Sequence, residues 1–536
     1  MPLLCLIEKW LYNLFPICIY LLKMILDMKL RFLMLTALLA MPLLAFGQGP
    51  RPGNMQDFQQ YRRMMDWAGF NRYANANQDV KTAPLAVFMG DSITDNWGSM
   101  RPAFFTDHNY ICRGIGAQTV EQMLARFQAD VVDLHPQAVV IMAGVNNIAG
   151  NNGKIELENV AGCLKSMCEL AKANGISPIL CSLTPCDRFS WNQDVEPAPI
   201  IIRLNAMLKD YAAGAGFTYV DYHTPLTLPG GGLSKEDSED GCHPTHACYE
   251  KMEAIIVPEI ERALAAAPRQ QARPTGMPRQ TGPSDWGNFK RYEQKNAELT
   301  EAPLMVLMGD SITDYWYDSD PDFFTKNNFA GRGIAGQTAS QMLVRFQQDV
   351  VALHPRAVAI MAGTNDLCQN LMGQSYYPDQ TIYDNIVAMC ELAEAAGIKV
   401  LLCSVTPCAH YMPVPDVDAG SLIVALNARL KTYAESQKNV TYVDYHTPLA
   451  TPELGLPEDG SYDGIHPCIN LYDDMERILV DSVKKVLKLK KQEFYTVPAD
   501  EADLRKVKDD ADRREKGMPM NFQGMVEMMS RMMRPR

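Results

Sequence analysis

The sequence has no excess of basic residues. It contains 50 Lys and Arg against 63 Asp and Glu in 536 residues, which gives a formal net charge of −13 at pH 7. Proteins that bind nucleic acid concentrate Lys and Arg on one face. The composition therefore predicts that nucleic acid is not a partner of this protein.

The sequence also lacks the polar, weakly hydrophobic composition of a disordered chain. Hydrophobic residues make up 47% of it and charged residues 21%, which are ordinary values for a globular protein. A chain of this length has room for two or more domains. We therefore expect folded domains to dominate the molecule.

The first 47 residues are apolar and are interpreted as a targeting segment. Residues 28–47 have the organisation of a secretory signal peptide, with a basic start, an apolar run at 32–44 and a small-x-small cleavage site at 45–47. This pattern predicts cleavage before Gln48 and export of the mature chain to the periplasm or the medium. No cysteine follows the cleavage site, so lipid attachment is not indicated there.

Residues 1–27 contain a second apolar run, at 10–26. We interpret this stretch as the result of a start codon placed too early, with Met28 as the true start. An inner-membrane anchor is the alternative. A membrane is therefore an expected partner only if residues 1–27 are translated and retained.

A nine-residue sequence that begins with Met-Gly-Asp-Ser occurs twice. It reads MGDSITDNW at 89–97 and MGDSITDYW at 308–316, so the copies are 219 residues apart. The spacing grows to 222 and 223 residues late in each copy, as small loop insertions would produce. Such a period far exceeds the roughly 20–50 residues of solenoid repeats and indicates duplication of a whole domain. The predicted organisation is a targeting segment at 1–47, a first domain at 66–266, a linker at 267–284, a second domain at 285–490 and a charged, Met-rich tail at 491–536.

Within each copy, short apolar runs alternate with amphipathic stretches. This alternation predicts an α/β fold with a parallel sheet of about five strands, covered by helices on both faces. In the first copy the predicted strands are 85–88, 110–111, 138–142, 179–183 and 218–221, and the predicted helices are 119–133, 156–173, 200–212 and 245–264.

Ser92 and Ser311 follow the first predicted strand of each copy and are the candidate nucleophiles. Ligands of open α/β sheets bind at the carboxyl ends of the strands, where the start of the next helix offers free backbone N–H groups to negative charge. A single Asp-Ser pair would more simply cap the following helix. Its recurrence in matching surroundings favours a nucleophile.

Three further polar motifs follow predicted strands in each copy, so they are expected at the same edge of the sheet. The second copy has GRGIAGQT, MAGTND and DGIH, and the first has CRGIGAQT, MAGVNN and DGCH. Ester hydrolysis by a serine needs a base, a carboxylate that orients the base, and donors for the oxyanion. These motifs contain all of the required residue types.

With these four ordered motifs, the chain resembles a tandem SGNH (GDSL-type) hydrolase. This family includes carbohydrate acetylesterases, lysophospholipases and platelet-activating-factor acetylhydrolase-like proteins, and the resemblance covers about 85–250 and 304–475. It implies two tandem flavodoxin-like, three-layer α/β/α sandwiches. The resemblance also implies a role for each matching residue. The nucleophiles are Ser92 and Ser311, the bases are His243 and His466, and the carboxylates that orient the bases are Asp240 and Asp463. The oxyanion donors are the N–H of each serine, Gly336, Asn365 and Asn146, and Ala117 stands at the glycine position of the first copy.

The first copy departs from the family pattern at two positions. Gly116-Ala117 stands where the second copy has Ala335-Gly336, and Asn147 stands where it has Asp366. If the glycine position needs a positive φ, alanine there costs about 1 to 2 kcal/mol or turns its N–H away. Losing one oxyanion donor typically costs about 10² to 10³ in turnover. We therefore predict that the second domain carries most of the activity. The alternative is that Ala117 has an ordinary, negative φ, in which case both domains would have similar turnover.

Cysteines recur as a pair in each copy. Cys181 and Cys186 lie in CSLTPC, and Cys403 and Cys408 lie in CSVTPC, each at a predicted strand end. Export would allow each pair to form a disulfide. Burial as small hydrophobic residues is an equal alternative.

Several other residues have a plainer interpretation than a role in chemistry. His223 and His446 lack an acid three residues earlier and are predicted to be structural or rim residues. The CHPTHAC sequence at 242–248 offers metal-ligand residue types, but the second copy differs, so we expect no metal and no cofactor. Trp97 and Trp316 either wall an acyl pocket or pack under the first helix. The tail is predicted to be mobile or loosely packed.

The sequence thus predicts an exported serine esterase that removes short acyl groups, most plausibly acetyl, from carbohydrate through an acyl-enzyme. The expected partner is a small-molecule or glycan ester. A lysophospholipase or short-chain lipid esterase is the alternative within the same class. A glycan-binding module with a degenerate hydrolase site, most plausible for the first domain, is the alternative from another class.

Overall fold

The computed structural model describes residues 66–153, 155–266, 285–371, 379–411 and 418–515. The predicted targeting segment at 1–47 and the predicted linker at 267–284 lie outside these residues. Within the described ranges, no helix is both long enough and apolar enough to cross a membrane.

Each repeat contains one five-stranded sheet whose strands all run parallel. In the first sheet the strands are β1 (Ala86–Gly90), β2 (Tyr110–Gly114), β3 (Ala138–Met142), β4 (Ser177–Cys181) and β5 (Thr218–Val220). In the second they are β6 (Met305–Gly309), β7 (Phe329–Gly333), β8 (Ala357–Ile360), β9 (Lys399–Cys403) and β10 (Val440–Val443). The order is β2-β1-β3-β4-β5 in the first sheet and, equivalently, β7-β6-β8-β9-β10 in the second. The five-stranded parallel sheets confirm the predicted fold class.

Alternate residues of β1, an interior strand between β2 and β3, face opposite sides of the sheet. Val87 and Met89 belong to one hydrophobic core, and Ala86 and Phe88 belong to another on the far side. A strand that is buried on both faces needs a continuous apolar run, which is what the sequence provides. The helices that supply the other half of each core complete a three-layer α/β/α arrangement.

The helices fall into two matching series. Those of the first repeat are α1 (Ala74–Gln78), α2 (Ser92–Met100), α3 (Pro102–Asp107), α4 (Val120–Ala125), α5 (Phe127–Asp130), α6 (Val145–Ile148), α7 (Leu157–Ala173), α8 (Pro197–Ala215), α9 (His223–Leu226) and α10 (His246–Ala266). Those of the second are α11 (Lys290–Ala297), α12 (Ser311–Ser319), α13 (Pro321–Lys326), α14 (Ala339–Asp349), α15 (Thr364–Leu371), α16 (Asp379–Ala395), α17 (Ala419–Ser436), α18 (His446–Leu449), α19 (Ile469–Val486) and α20 (Ala499–Glu515).

Some elements differ from the sequence-based prediction. The helix predicted at 119–133 is interrupted at Arg126, which has φ −101° and ψ 6° and sends its guanidinium into the core. The strand predicted at 179–183 begins two residues earlier, at Ser177, because a serine and a proline start β4 and conceal it from an apolar pattern. The helix expected after the candidate nucleophile had no predicted bounds; it is α2, which starts at Ser92 itself.

The two repeats pack against each other through α4 and α7 of the first and α14 and α16 of the second. One hydrophobic core runs through both repeats. The rings of Trp67 and Trp286 stack with their centroids 3.6 Å apart. Asn174 Nδ2 donates to Glu391 Oε2 at 2.8 Å, and burial raises the pKa of Glu391 to about 7. The interface therefore contains both apolar contacts and a carboxyl group removed from water.

The tail prediction is wrong for residues 499–515. These residues form α20, which packs on α19. Arg505 of α20 makes ion pairs with Asp320 at 2.9 Å and Asp473 at 3.1 Å. The amphipathic signal was weak because α20 docks through charged side chains more than through an apolar face.

Candidate active site

Each candidate nucleophile is the first residue of the helix that follows the first strand of its repeat, β1 or β6. Asp91 precedes Ser92, and its Oδ1 accepts a hydrogen bond from Ile93 N at 3.0 Å. Asp310 caps the second site in the same way at 2.9 Å. The capping role therefore belongs to the aspartate, which leaves the serine hydroxyl for other partners.

A glycine is required immediately before this cap. A Cβ atom on Gly90 would lie 2.0 Å from Thr94 Oγ1, and one on Gly309 would lie 2.0 Å from Thr313 Oγ1. The strand therefore passes close under the first turn of the helix. This close passage fixes the backbone that leads into each serine.

The first repeat brings Ser92, His243 and Asp240 together. Ser92 Oγ lies 2.9 Å from His243 Nε2, and His243 Nδ1 lies 2.6 Å from Asp240 Oδ2. The backbone N–H groups of Cys242 and His243 donate to the other oxygen of Asp240. A carboxylate so held orients the imidazole with Nε2 toward the serine.

The second repeat forms the same chain of hydrogen bonds. Ser311 Oγ lies 2.8 Å from His466 Nε2, and His466 Nδ1 lies 2.7 Å from Asp463 Oδ2. The N–H groups of Ile465 and His466 donate to Asp463 Oδ1. Both predicted sets of three side chains are thus assembled, although each histidine lies more than 150 residues after its serine in the chain.

The orienting aspartates are held in their ionised form. Burial alone would raise the pKa of Asp463, but hydrogen bonds from His466 and from backbone N–H groups outweigh it and lower that pKa to about 2. The same opposing effects lower the pKa of Asp240 to about 2. Each aspartate therefore remains a carboxylate at any pH at which the protein would work.

The predicted oxyanion positions have the same backbone conformation in both repeats. Gly336 has φ +81°, and Ala117 has φ +64°. The preceding residue is fixed alike, since Gly116 N donates to Asp95 Oδ2 and Ala335 N donates to Asp314 Oδ2, both at 3.1 Å. Alanine has therefore adopted the left-handed conformation instead of turning its N–H away. The ordinary-φ alternative is excluded by this geometry.

The predicted asparagine donors lie at the same edge of each sheet. Asn146 Nδ2 donates to Gln118 O, and Asn365 Nδ2 donates to Gln337 O, both at 3.0 Å. Each amide is thereby fixed against the loop that carries Ala117 or Gly336. Asn365 Nδ2 also donates to Asp310 Oδ2 in a longer hydrogen bond of 3.3 Å. An oxyanion would therefore compete with Asp310 for the Asn365 amide.

The residue after each asparagine anchors the helix that follows the oxyanion loop. Asp366 accepts from Ala339 N through both oxygens, at 3.2 and 3.0 Å. Asn147 accepts from Val120 N at 3.0 Å and donates to Glu121 Oε2 at 2.6 Å. In the first repeat, asparagine replaces aspartate and a buried acid, Glu121, lies next to it. The first turn of the helix, α4 or α14, is therefore anchored in both repeats.

A buried arginine in each repeat supports the site and was missed in the sequence. Arg126 donates to the carbonyls of Gly90 and Arg113, to Gln118 Oε1 and to Asp130. Arg345 makes the equivalent contacts in the second repeat. These contacts join the serine-bearing strand to the oxyanion loop. The sequence signal was the recurrence of Arg-Phe-Gln-x-Asp-Val-Val-x-Leu-His-Pro in both copies.

An exposed aromatic ring lies beside each catalytic-type histidine. The Trp191 ring is 5.8 Å from that of His243, and its side chain is 44% exposed. The Tyr315 ring is 4.9 Å from that of His466, and its side chain is 43% exposed. Trp191 lies in the loop between β4 and α8, whereas Tyr315 lies on helix α12. Each gives its site an uncovered flat apolar surface.

The cysteines of each recurring pair are free thiols in the structure. Cys181 belongs to the core on one face of the first sheet, whereas Cys186 belongs to the core on the other face. Cys403 and Cys408 are separated in the same way in the second sheet. The sheet therefore stands between the partners. Of the two equal alternatives, the disulfide is excluded and burial as small hydrophobic residues is confirmed.

The remaining candidate residues have structural surroundings. The Trp97 ring stacks between those of Phe104 and Tyr249 in a buried aromatic cluster, and Trp316 has the same setting, so neither walls an acyl pocket. His446 is buried, and His223 is partly buried. Burial lowers the pKa of each of these two imidazoles.

Comparison with known proteins finds several that are similar to part of this chain. The chain is 41% identical to a solved structure of a proposed acylhydrolase from Bacteroides fragilis, with 37% of this chain and 99% of that chain covered and a TM-score of 0.36. It is 38% identical to a GDSL-like lipase from Bacteroides thetaiotaomicron, with 38% and 99% covered and a TM-score of 0.36. An uncharacterised lipoprotein of Bacillus subtilis is 36% identical over 75 residues, which are 14% of this chain and 31% of that protein. The chain thus matches about a third of the length of this curated relative.

The GDSL-like lipase/acylhydrolase family model matches residues 88–251 and again residues 307–468. Each match includes a serine, an asparagine, an aspartate and a histidine that the structure brings to one edge of a sheet. Since the two matches span more than half of the sequence, the chain belongs to the GDSL-like lipase/acylhydrolase family.

Proposed function

We propose that the protein is a serine esterase with two active sites, which removes short acyl groups, acetyl above all, from carbohydrate. The observation that carries this proposal is the pair of assembled Ser-His-Asp chains, in which every link is 2.6 to 2.9 Å long. Such chains activate a serine for attack on an ester carbonyl. The first site is as complete as the second, which argues against a glycan-binding module that has lost turnover.

Reaction begins when His466 Nε2 takes the Ser311 proton as Oγ attacks the ester carbonyl. The negative charge on the carbonyl oxygen is stabilised by the backbone N–H groups of Ser311 and Gly336 and by the side-chain amide of Asn365. Collapse of this intermediate releases the alcohol, which takes the proton from His466, and leaves the acyl group on Ser311. Water then repeats the sequence, with His466 as its base, and releases the carboxylic acid.

The aromatic rings support carbohydrate as the substrate. One face of a pyranose carries C–H groups that pack on a flat ring, and an exposed Trp or Tyr is suited to this contact. Trp191 and Tyr315 lie beside the two catalytic histidines in this exposed state. A long acyl chain would instead need a continuous aliphatic surface at these positions.

Export to the periplasm or the medium is also proposed. It is supported by the signal-type sequence at 28–47 and by the similarity to a protein described as a lipoprotein. Secreted material should then begin at Gln48, which N-terminal sequencing measures. A mature protein that retains residues 10–26 would contradict this part of the proposal.

The test of the activity is acetate release from a panel of acetylated glycans, measured beside p-nitrophenyl esters of increasing acyl length. The wild type should be compared with Ser92→Ala, Ser311→Ala and the double variant. We expect acetyl esters to be the best substrates, each single variant to keep part of the activity, and the double variant to lose it. Faster turnover of long-chain esters than of acetyl esters would indicate a lipid esterase instead.

A further inference from the structure

A cavity of about 660 Å³ lies beside the catalytic histidine and aspartate of the second site. Cavities of this size accommodate molecules of a few hundred daltons, since ligand pockets typically measure about 300 to 1,000 Å³. Asp463 and His466 line one side, and Tyr315 lines another. Helix α20 contributes Arg505, Lys508, Asp509 and Arg513 to the lining, and the rest comes from α12 and from residues 462–472.

Helix α20 holds the residue next to the catalytic aspartate. Tyr462 Oη lies 2.6 Å from Asp509 Oδ2 and 2.7 Å from Asp510 Oδ1. The guanidinium of Arg513 lies over the Tyr462 ring at 3.5 Å from its centroid. Tyr462 is only 9% exposed as a result. The first repeat has Glu239 at the equivalent position, and that side chain is exposed.

The two repeats take the arginine that pairs with equivalent acids from different parts of the chain, and this difference holds α20 in place. In the first repeat, Arg101 makes ion pairs with Glu250 at 2.9 Å and with Glu253 at 2.6 Å. The second repeat has Asp320 at the position of Arg101, so it lacks the arginine that pairs with the equivalent carboxylates in the first repeat.

Arg505 supplies the missing cation. It reaches Asp320 and Asp473 from α20 and meets a cluster of three buried acids that includes Glu476. Removing a cation from a buried ion pair is strongly unfavourable, because it leaves carboxylates that are out of water and unpaired. The second repeat is therefore built to bind α20.

The first site has no such wall in the part of the chain that the structure describes. Its last helix there, α10, ends at Ala266, and the described residues of the first repeat include no counterpart of α20. The exposed face of Trp191 lies beside His243 instead. The two sites therefore differ in what surrounds them, although their triads are alike.

We propose that α20 is a substrate-selecting wall, which restricts the second site to small acetylated sugars while the first site also accepts acetyl groups along a polysaccharide chain. This inference rests on the proposed function. It assigns two substrate sizes to one polypeptide. Acetyl groups that the first site leaves on the polysaccharide would be removed by the second site after a glycosidase has released them on small sugars.

The experiment compares single-site proteins in the full chain. Ser92→Ala leaves only the second site, and Ser311→Ala leaves only the first. For each we would measure kcat/KM on an acetylated disaccharide and on an acetylated polysaccharide, with p-nitrophenyl acetate as the reference. We expect the polysaccharide-to-disaccharide ratio to be at least tenfold lower for the second site. Equal ratios would overturn the proposal.

Two changes to the wall complete the test, both in the Ser92→Ala protein. A chain that stops after Pro498 removes α20, and Lys508→Ala with Arg513→Ala trims its surface while leaving the Arg505 anchor. We expect each to raise the ratio at least fivefold. If the shortened chain loses all turnover through misfolding, the trimmed variant decides, and an unchanged ratio there contradicts the proposal.

A size series of non-sugar esters separates this inference from the proposed function. Acetate esters of methoxy-polyethylene glycols of increasing length should be discriminated by the second site more steeply than by the first. If neither site cleaves any acetylated sugar but this difference holds, the carbohydrate proposal fails and the wall stands. If both sites respond equally to length, the wall fails whatever the substrate.

Discussion

Exchanging the residues at the oxyanion position should change stability and leave turnover nearly unchanged. Ala117 has φ +64° and Gly336 has φ +81°, so both occupy the left-handed region. This conformation costs an L-residue about 1 to 2 kcal/mol. Replacing alanine by glycine in turn costs about 0.5 to 1 kcal/mol of folding free energy, because the unfolded chain gains conformational freedom. The difference predicts that Ala117→Gly stabilises the first domain by about 0.5 to 1 kcal/mol.

The reverse change should be tolerated by the second site. A Cβ on Gly336 would meet no atom within 4 Å, so Gly336→Ala adds strain but no clash. Its N–H should keep its direction, as that of Ala117 does. We therefore expect kcat of the second site to change by less than about threefold, whereas loss of one oxyanion donor costs about 10² to 10³.

The assay is p-nitrophenyl acetate hydrolysis by each single-site protein, combined with its thermal midpoint. Ala117→Gly is measured in the Ser311→Ala background and Gly336→Ala in the Ser92→Ala background, so each exchange is the control for the other. Both sites should turn over at comparable rates, in place of the dominant second domain that the sequence predicted. A fall of 100-fold or more in Gly336→Ala would refute this reasoning, because it would show that alanine misplaces the donor.

Three further changes have defined outcomes. Asn365→Ala in the Ser92→Ala protein should lower kcat by about 10² to 10³ with little change in KM, since its amide acts on the oxyanion; an unchanged kcat would remove it from that role. Arg345→Met leaves Asp349 buried and unpaired and should lower stability by about 3 to 5 kcal/mol, whereas an unchanged thermal midpoint would contradict this. Burial raises the pKa of Glu391 from its usual 4.5 to about 7, so the folded protein holds an extra proton between these pH values and stability falls as pH rises through this window. Glu391→Gln should therefore raise the thermal midpoint at pH 8 more than at pH 4.5, and an equal effect at both would exclude this titration.

The sequence predicted the elements that repeat in a regular pattern. The continuous apolar runs before Ser92 and Ser311 indicated strands buried on both faces, and the five-stranded parallel sheets have that character. The triads were predicted because the same four motifs occur twice in the same order. Duplication thus provided an internal comparison that a single copy would not have offered.

What the sequence concealed depends on packing between distant segments. The sequence left a disulfide between Cys181 and Cys186 as an equal alternative, because sequence proximity does not show that a sheet separates the two side chains. Helix α20 was missed because its binding depends on Arg505 meeting acids that lie up to 185 residues away in the chain. The replacement of Arg101 by Asp320 is visible in the sequence. Its consequence is visible only in the structure, where Arg505 pairs with the acids of the second repeat as Arg101 does with those of the first.

The most direct test of the central claim is covalent labelling of both serines by a serine-directed phosphonate, followed by peptide mass spectrometry. Both triads are assembled, so we predict stoichiometric labelling of Ser92 and Ser311, one label in each single Ser→Ala variant, and no label and no esterase activity in the double variant. Undiminished ester hydrolysis by the Ser92→Ala, Ser311→Ala protein would contradict the serine mechanism and the acyl-enzyme with it.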